Sequence, residues 1–403
     1  MLRSLTRHSA SRELVRSALF CLAVLSIATC FPESAPSAEA AEAMPLPQGS
    51  ARVQTAERIG LPELRIIREL PRSGSTFAVA WSSDGREIAA FSLQGGNPFP
   101  GAGGDVLTIW NADGQVVREL RQSHMFFTTS DNFVFIDNNK KIVAPPSYAS
   151  HDLAFSIFDI ETGKIVHEAE GLHPDRPRNS NAASVLAVSP DQSTLAVIVG
   201  PSPSQPVALY STQDWARLAL PETLTIGPSK LAFSRDGKFL AVSRSDNKIL
   251  IYDLSSKQVS QRIDPFSDLF SPNGGIAFSP DGSMIAVGTA ALVTAKSLPN
   301  GKTTYTYPKD VVRVFRTKDA SQVAVYSAPT FAVRDLAWSP DASFVAFITG
   351  DRKLLLWDPL HPELGERTFD VSPGTVSLAF SPDGSRLAVG NGRNVTIFGV
   401  AQQ

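Results

Sequence analysis

Cysteine is nearly absent from this chain of 403 residues, which contains two, Cys21 and Cys30. Both lie in the first 30 residues, within a segment that has the composition of a targeting leader. A chain without this leader has no disulfide, no thiol nucleophile and no cysteine-bound metal. Its fold must therefore be held by burial of apolar surface and by closure of its own architecture.

An excess of charge of one sign is also lacking, since 37 Lys and Arg residues nearly balance 39 Asp and Glu residues to a net charge of −2. Domains that bind nucleic acid through bulk charge are usually strongly basic, so this class is not indicated. The apolar run at 18–28 is shorter than the roughly 20 residues that span a membrane as a helix. Apolar residues make up 43% of the chain, which is enough for a sizeable core.

The N-terminal segment has the pattern of a secretory signal peptide. Basic residues precede the apolar run, and Ala-x-Ala cleavage sites follow it at 38–40 and 41–43. We predict a signal peptide over 1–40, a linker over 41–60, and export to the periplasm or cell envelope. A retained N-terminal anchor is the alternative for the same segment. The basic residues are Arg3, Arg7, Arg12 and Arg16.

A second signal overlaps the first at residues 27–30, Ile-Ala-Thr-Cys. An aliphatic residue and an alanine before a cysteine resemble the bacterial lipoprotein signal, although Thr29 replaces the small residue usual before that cysteine. Under this alternative Cys30 carries a lipid, and this lipid is the membrane attachment of the protein.

Patterns that carry catalysis or metal binding are missing. The histidines after the leader form no i, i+4 pair and no tight cluster, so a metal site is not indicated. No Gly-x-Ser-x-Gly sequence is present, and the glycine-rich stretch 94–105 precedes a strand pattern instead of the helix that a phosphate loop requires. We expect no catalytic residue, no cofactor and no metal. These histidines are His124, His151, His167, His173 and His361.

One phrase recurs along the chain: an apolar strand that ends in Ser, a turn such as Pro-Asp-Gly, and a second apolar strand. Proline and glycine favour the φ angles of a tight turn, and Asp bonds to nearby backbone, so each phrase predicts a β-hairpin. We interpret the turn aspartates as structural and not as a catalytic array. The hairpins cover 79–92, 133–146, 186–199, 231–243, 276–288, 336–348 and 378–390, and the aspartates are Asp84, Asp191, Asp236, Asp281, Asp341 and Asp383.

Each hairpin is followed by a third strand that ends in an aromatic residue, and then by a weaker fourth strand. Four strands every 42–60 residues are the period of a β-propeller blade. The last copy stops after its third strand, 394–400, whereas 64–70 is a strand without a blade of its own. We predict an all-β fold over 61–403. It is a seven-bladed β-propeller of four-stranded antiparallel blades, closed by an N-terminal strand that completes the last blade.

The chain resembles the bacterial exported WD-repeat-like propeller proteins over roughly residues 60–403. The likeness rests on the Leu-Ala-Phe-Ser-Pro-Asp-Gly hairpins and on the Trp-Asp pair that ends one third strand. The Gly-His pair typical of WD repeats is absent, so the histidine-centred hydrogen-bond network of that family is not expected. The full pair is Trp357-Asp358, and softened versions are Phe158-Asp159 and Tyr252-Asp253.

Long connections are predicted to gather on one face of the ring, which we call the loop face. It carries the connections from second to third strand and from fourth strand to the next blade, while the Ser-Pro-Asp-Gly turns lie on the opposite turn face. Insertions in repeat proteins often collect on the binding face, and aromatic residues anchor interfaces. The candidates for partner binding are Phe99, Phe126, Phe127, Arg176, Arg178, Phe266, Phe270, Tyr305, Tyr307 and Phe331.

These observations predict a non-catalytic protein-interaction scaffold in the bacterial cell envelope, which binds a protein or other macromolecule, and not nucleic acid, through the loop face. The alternative is a propeller enzyme of hydrolase or lactonase type, or a small-ligand binder, with polar groups that converge on the central channel. His124, His173, Arg176 and Arg178 in one pocket would favour this alternative.

Overall fold

The structure is a computed structural model, and all the residues it describes belong to one compact unit, residues 58–403. The described ranges are 60–71, 75–93, 105–122, 133–146, 153–170, 183–199, 207–220, 227–264, 274–289, 294–297, 303–306, 310–328, 332–392 and 394–401.

The described residues form 30 β-strands and one turn of 3-10 helix at Pro362–Leu364. In chain order the strands are β1 Glu63–Pro71, β2 Ser75–Trp81, β3 Glu87–Leu93, β4 Asp105–Asn111, β5 Val116–Gln122, β6 Val134–Ile136, β7 Lys141–Ala144, β8 Leu153–Asp159, β9 Ile165–Glu170, β10 Ala183–Val188, β11 Thr194–Val199, β12 Val207–Ser211, β13 Arg217–Leu218, β14 Pro228–Phe233, β15 Phe239–Arg244, β16 Ile249–Asp253, β17 Gln258–Ile263, β18 Ile276–Phe278, β19 Met284–Gly288, β20 Thr294–Ser297, β21 Thr303–Thr306, β22 Asp310–Arg316, β23 Gln322–Ser327, β24 Val333–Trp338, β25 Val345–Thr349, β26 Lys353–Trp357, β27 Glu366–Asp370, β28 Thr375–Phe380, β29 Arg386–Asn391 and β30 Asn394–Ala401.

Twenty-eight of these strands form seven antiparallel sheets of four, the predicted blades. The first blade is β2 to β5, the second β6 to β9, the third β10 to β13, the fourth β14 to β17, and the sixth β24 to β27. The fifth blade is β18, β19, β22 and β23, and a separate hairpin, β20 and β21, lies in its second connection. The first strands of neighbouring blades contact each other around the whole ring, so they line a central channel.

The seventh blade confirms the predicted closure of the ring. Its strand order is β1-β30-β29-β28, so the N-terminal strand supplies the missing fourth strand. The register runs from Glu63 opposite Ala401 to Pro71 opposite Asn394, with one irregularity between Ile66 and Arg68. One blade thus contains both ends of the propeller sequence.

The core lies between the blades and not within any one of them. Seven clusters of buried residues are present among the described residues, and each one combines side chains from two neighbouring blades. The second strands are buried on both faces, as their unbroken apolar sequences predict. In six blades an alanine of the first strand faces an alanine of the second, as Ala277 faces Ala286, and these small pairs let neighbouring blades approach closely. The other five are Ala80–Ala89, Ala187–Ala196, Ala232–Ala241, Ala337–Ala346 and Ala379–Ala388.

The turn aspartates have the structural role predicted for them. In the fifth blade the hydroxyl of Ser279 donates to the Asp281 carboxylate and accepts from Met284 N at 2.9 Å. The same carboxylate accepts from Ser283 N at 3.1 Å. Six blades have this arrangement, and it joins the turn to the start of the second strand. The equivalent serine-aspartate pairs are Ser82–Asp84, Ser189–Asp191, Ser234–Asp236, Ser339–Asp341 and Ser381–Asp383.

Arginines of two outer strands also fasten one blade to the next. In β5 the register skips Val117, and the Nε of Arg118 then donates to Ile160 O in the second blade at 2.9 Å. Arg68 holds the same place in β1 and donates to Asp113 O of the first blade. The closing strand therefore bonds to two blades: β30 of its own blade and a turn of the next.

Candidate functional site

The predicted partner-binding residues lie almost entirely outside the described residues. Tyr305 falls within β21, in a connection that the sequence analysis treated as a plain loop, whereas the structure forms a hairpin there. The interface assignment of these residues stays a prediction. The candidates outside the described ranges are Cys30, Phe99, Phe126, Phe127, Arg176, Arg178, Phe266, Phe270, Tyr307 and Phe331, and so are His124 and His173.

Two described histidines have ordinary structural surroundings. His167 in β9 stacks on Trp215 of the third blade, with ring centroids 5.3 Å apart. The Nδ1 atom of His361 lies 3.4 Å from a carboxylate oxygen of Glu363, and both side chains are exposed. Among the described residues, no group of three His, Cys, Asp or Glu side chains is placed to hold a metal ion. No helix within those ranges has the length and apolar character needed to cross a membrane.

The two faces of the ring differ in the length of their connections. On the turn face, four to eight residues join first to second strands and third to fourth strands. On the loop face, the connections range from two residues, between β29 and β30, to 21 residues, between β19 and β22. The strand topology therefore places the longest connections together, as the sequence predicts.

Side chains of the turns bond to each other across the turn face. Arg235 of the fourth blade donates to Pro340 O of the sixth blade at 3.0 Å. In the first three blades, Ser83 N donates to the Asn139 side chain at 2.9 Å, and the Gln192 amide donates to the Ser83 hydroxyl at 3.2 Å. Two of these three bonds, from Arg235 to Pro340 O and from Gln192 to Ser83, join blades that are not sequence neighbours, so the turns cross-link the ring on this face.

A groove of about 380 Å³ lies on the turn face between the sixth and seventh blades. Its apolar lining includes Leu61, Phe344 and Leu364, and carboxylates of Asp341 and Asp383 lie at its border. Both carboxylates are already bonded to serines of their own turns. Sequence analysis did not predict a cavity on this face.

The central channel contains a second cavity, of about 130 Å³, formed by the first strands of five blades. This volume corresponds to about four molecules of liquid water. The cavity lies near the start of these strands, on the side of the loop face. Its lining residues are Val79, Lys230, Leu231, Gly275, Ile276, Asp335, Leu336, Ser377 and Leu378.

Recurrent β-bulges determine which side chains border this cavity. In five first strands the register slips by one residue close to the loop face. A bulge redirects the side chain that follows it and is frequent next to functional sites. The residues that directly follow the slip are Ala78, Val185, Lys230, Asp335 and Ser377.

Two of these residues join neighbouring blades by hydrogen bonds. The Asp335 carboxylate accepts from Leu336 N and from Leu378 N of the seventh blade, each at 2.9 Å. The Ser377 hydroxyl accepts from Val79 N of the first blade at 3.2 Å. Both groups are buried, and the two amides neutralise part of the charge of Asp335.

The fourth blade differs, because Lys230 occupies the strand position at which the sixth and seventh blades have the acceptors Asp335 and Ser377. Lys230 is 5% exposed, an uncommon burial for this residue type. The fifth blade, between the fourth and the sixth, contributes Gly275 and Ile276 to the lining. A β-carbon at Gly275 would lie 3.0 Å from Leu336 N, so the close approach of the two blades requires glycine. Lys230 and Asp335, two buried side chains of opposite charge type, thus line one small cavity.

Sequence reasoning missed these channel residues, although a signal for them exists. The phrase Leu-Ala-aromatic-Ser is nearly constant, whereas the residue before it changes from blade to blade. In the fourth, sixth and seventh blades that variable position directly follows the bulge, and its residue lines the cavity. Its occupants from the fourth to the seventh blade are Lys230, Gly275, Asp335 and Ser377.

Seven four-stranded antiparallel blades around a channel, closed by an N-terminal strand, define a β-propeller. Two segments, 226–253 and 320–358, match the family model described as WD domain, G-beta repeat. They end at Tyr252-Asp253 and Trp357-Asp358, where the aspartates accept hydrogen bonds from backbone amides of the following turns. Over 165 residues the chain is 30% identical to an uncharacterized WD repeat-containing protein of Synechocystis sp., in an alignment that covers 40% of each chain.

Proposed function

We propose that this chain is a non-catalytic protein-interaction scaffold of the bacterial cell envelope, which binds its partner through the loop face. The observation that carries the proposal is the asymmetry of the ring: all connections longer than eight residues leave the loop face. The similarity to WD repeats supports it, because propellers of that kind typically serve as platforms for other proteins.

The architecture suits this role physically. A closed ring has only short, protected strand edges, so it can carry long insertions without offering edges to other chains. The inter-blade clusters and the bonded turns are independent of the loop-face sequence, since they lie between blades and on the opposite face. The loop face can therefore be specialised for a partner without altering the scaffold.

Crosslinking and pull-down from the native cell envelope, with mature chain as bait, tests the proposal. We expect one dominant protein crosslinked to the loop-face connections, and capture at least ten-fold weaker after alanine replaces Phe266, Phe270, Tyr305 and Tyr307. A matched control replaces Ile66 and Val166, which are 60% and 51% exposed on outer strands. Capture that survives the loop-face changes, or that falls only in the control, contradicts the proposed surface.

Location in the envelope is tested separately, by fractionation of cells that express the full chain. We expect the protein in the periplasmic or membrane fraction, with residues 1–40 removed if the signal peptide is cleaved. Replacement of Cys30 by Ser releases the protein from the membrane if Cys30 is lipidated. Recovery in the cytoplasm with an intact N-terminus would contradict export.

A further inference from the structure

Exposed large apolar side chains gather on one part of the outer rim of the ring. Eight such side chains occur among the described residues, and six of them form pairs in the outer strands of three consecutive blades, the seventh, the first and the second. Contiguous exposed apolar surface marks an interaction site, whereas single exposed apolar residues are ordinary. We call these six residues the rim patch: Ile66 and Ile67 in β1, Val116 and Val117 in β5, and Ile165 and Val166 in β9.

A β-bulge explains why both members of each pair are exposed. In a regular strand successive side chains point to opposite faces. The pairing register skips Ile67, Val117 and Val166, so each of these residues adds an unpaired, exposed side chain beside another exposed one. Bulges also disturb the free edge of an outer strand, so a partner should contact these side chains and not extend the sheet.

The side chain that follows the bulge connects one pair to the next. Arg68 donates to Asp113 O, in the turn that leads into β5. A β-carbon at Gly114 would lie 2.7 Å from Arg68 Cδ, so the arginine stem packs directly on this turn. The Nε of Arg118 donates to Ile160 O, in the turn that leads into β9, at 2.9 Å. The three pairs and these two arginines thus form one surface, fixed by contacts between blades.

The other blades lack this surface, although two of them share the bulge. In the fourth and fifth blades the register skips Ser260 and Val323, and the valines at these sites, Val259 and Val323, pack half-buried against core clusters. The outer strand of the sixth blade is paired without a bulge. Within the described ranges, the large apolar residues exposed outside the rim patch are Leu218 and Leu360. Of the surface that the structure describes, the rim patch itself is therefore the best apolar match for a rim patch.

Charges beside the rim patch are of both signs and pair within their own strands. Glu63 pairs with Arg65 at 2.9 Å, and Glu119 pairs with Arg121 at 2.5 Å. Such a surface offers little to an anionic lipid membrane or to a partner with a large net charge. A second copy meets no net repulsion here, and its apolar pairs recur with the same spacing of one pair per blade.

We propose that the rim patch joins two copies of this chain in a dimer with two-fold symmetry. In a two-fold dimer both copies use the same surface, so assembly stops at two copies. The three strands and the two turns between them contain about 25 residues that are not buried, within the 20–30 per partner of a standard interface. The loop face takes no part, so the dimer is independent of the proposed function and carries two free loop faces.

Sedimentation equilibrium of the mature protein is the first test. Between about 1 μM and 100 μM we expect a monomer–dimer equilibrium that ends at two copies. Val116→Glu places a charge at the centre of the patch and should weaken dimerisation at least ten-fold, because burial of an unpaired charge is unfavourable. Leu360→Glu is the matched control, since the two side chains are 56% and 50% exposed, and it should leave the Kd of the dimer unchanged. A wild-type monomer throughout, or equal weakening in both variants, overturns the inference.

Chemical crosslinking locates the interface. Both cysteines lie in the first 30 residues, so one cysteine introduced into the mature chain is a unique reactive site. Because β5 is the middle strand of the rim patch, its residues lie nearest the two-fold axis. Val117→Cys should therefore give a covalent dimer with a short bismaleimide, and Leu360→Cys should not. A covalent dimer from Leu360→Cys and none from Val117→Cys overturns the inference.

Folding and other occupants of the patch are distinguished by further measurements. Thermal melting accompanies each variant, and Ile66→Glu, at the most exposed position of the patch, replaces Val116→Glu if the latter does not fold. Flotation of the mature protein with phosphatidylcholine vesicles that Val116→Glu abolishes assigns the patch to lipid and overturns the inference. Capture of an envelope protein by a monomeric wild type that is lost in Val116→Glu assigns the patch to that protein and also overturns it. Undiminished capture by the monomeric variant supports both proposals, and a dimer that captures nothing contradicts the proposed function alone.

Discussion

On the turn face, six of seven first hairpins close with the same serine-aspartate arrangement, whereas on the loop face no two long connections share a sequence. The turn face is joined by bonds between blades, such as Arg235 to Pro340 O. The channel cavity on the side of the loop face is lined by residues that differ from blade to blade, such as Lys230, Asp335 and Ser377. The comparison indicates that the repeated turns stabilise the ring on one face, whereas the residues that vary between blades gather on the other.

Acidification should destabilise the turns of the turn face, and we expect this to be the largest of the predicted losses of stability. Hydrogen bonds from serine lower the pKa of the turn carboxylates, as Ser279 does for Asp281. A lowered folded-state pKa means that stability is fully present above the unfolded value, near 4, and is lost as pH falls through the folded value. Urea unfolding midpoints should be steady from about pH 7 to 5 and fall steeply below about pH 4.

Asp281→Asn checks that the turn carboxylates cause this acid dependence. The variant should be less stable at neutral pH and lose less stability on acidification than the wild type, because one titrating group is gone. Glu87 opposes the trend, since burial raises its pKa and favours its protonated form in the folded chain. An unchanged acid slope in Asp281→Asn would contradict the assignment.

A single turn serine gives the next largest effect. Ser279 is fully buried and bonds to both Asp281 and Met284 N, so Ser279→Ala leaves a buried amide without an acceptor. We expect a loss of about 1–3 kcal/mol in the free energy of unfolding. Ser283→Ala, in the same turn but exposed, is the matched control and should lose under about 1 kcal/mol. Equal losses would mean that burial of the hydroxyl is irrelevant.

Two turn glycines, Gly85 and Gly282, allow the packing between turns of different blades to be compared. Gly85 and Gly282 have φ angles of 69° and 72°, so alanine is strained at both by roughly 1 kcal/mol. A β-carbon at Gly85 would also meet Pro382 of the seventh blade at 3.3 Å, whereas none of the described atoms lies within 4 Å at Gly282. Gly85→Ala should therefore unfold at lower urea than Gly282→Ala. The reverse order of urea midpoints would show that the contact between the turn at Gly85 and Pro382 of the seventh blade does not limit the side chain at position 85.

The smallest effect is expected on the loop face. Lys353 at the start of β26 pairs with Asp370 at the end of β27 at 2.5 Å, and the two side chains are 38% and 87% exposed. Ion pairs between exposed side chains contribute little to stability. Asp370→Asn should therefore shift the urea midpoint less than Ser279→Ala does. A larger shift would place part of the stabilising network on the loop face.

The repeat predicted the fold because residues close together in sequence specify each hairpin. These are the turn residues, an apolar strand and a third strand that ends in an aromatic residue. The closing strand was also predictable, since one copy lacked a fourth strand and residues 64–70 lacked a blade. The bulges were not predictable, because a slip in register depends on the neighbouring blade and leaves no mark in the spacing of apolar residues. Lys230 and Asp335 were consequently not predicted as channel residues, although each is a charged residue within an apolar strand.

The closing strand has a consequence for the order in which the chain can fold. Pro71 pairs with Asn394, 323 positions later, so β1 has no partner until β30 has been made. Contacts of such long separation form slowly. The ring is therefore closed only after β30 has been synthesised, and removal of β30 would separate β1 from the seventh blade and expose the apolar flank of the first.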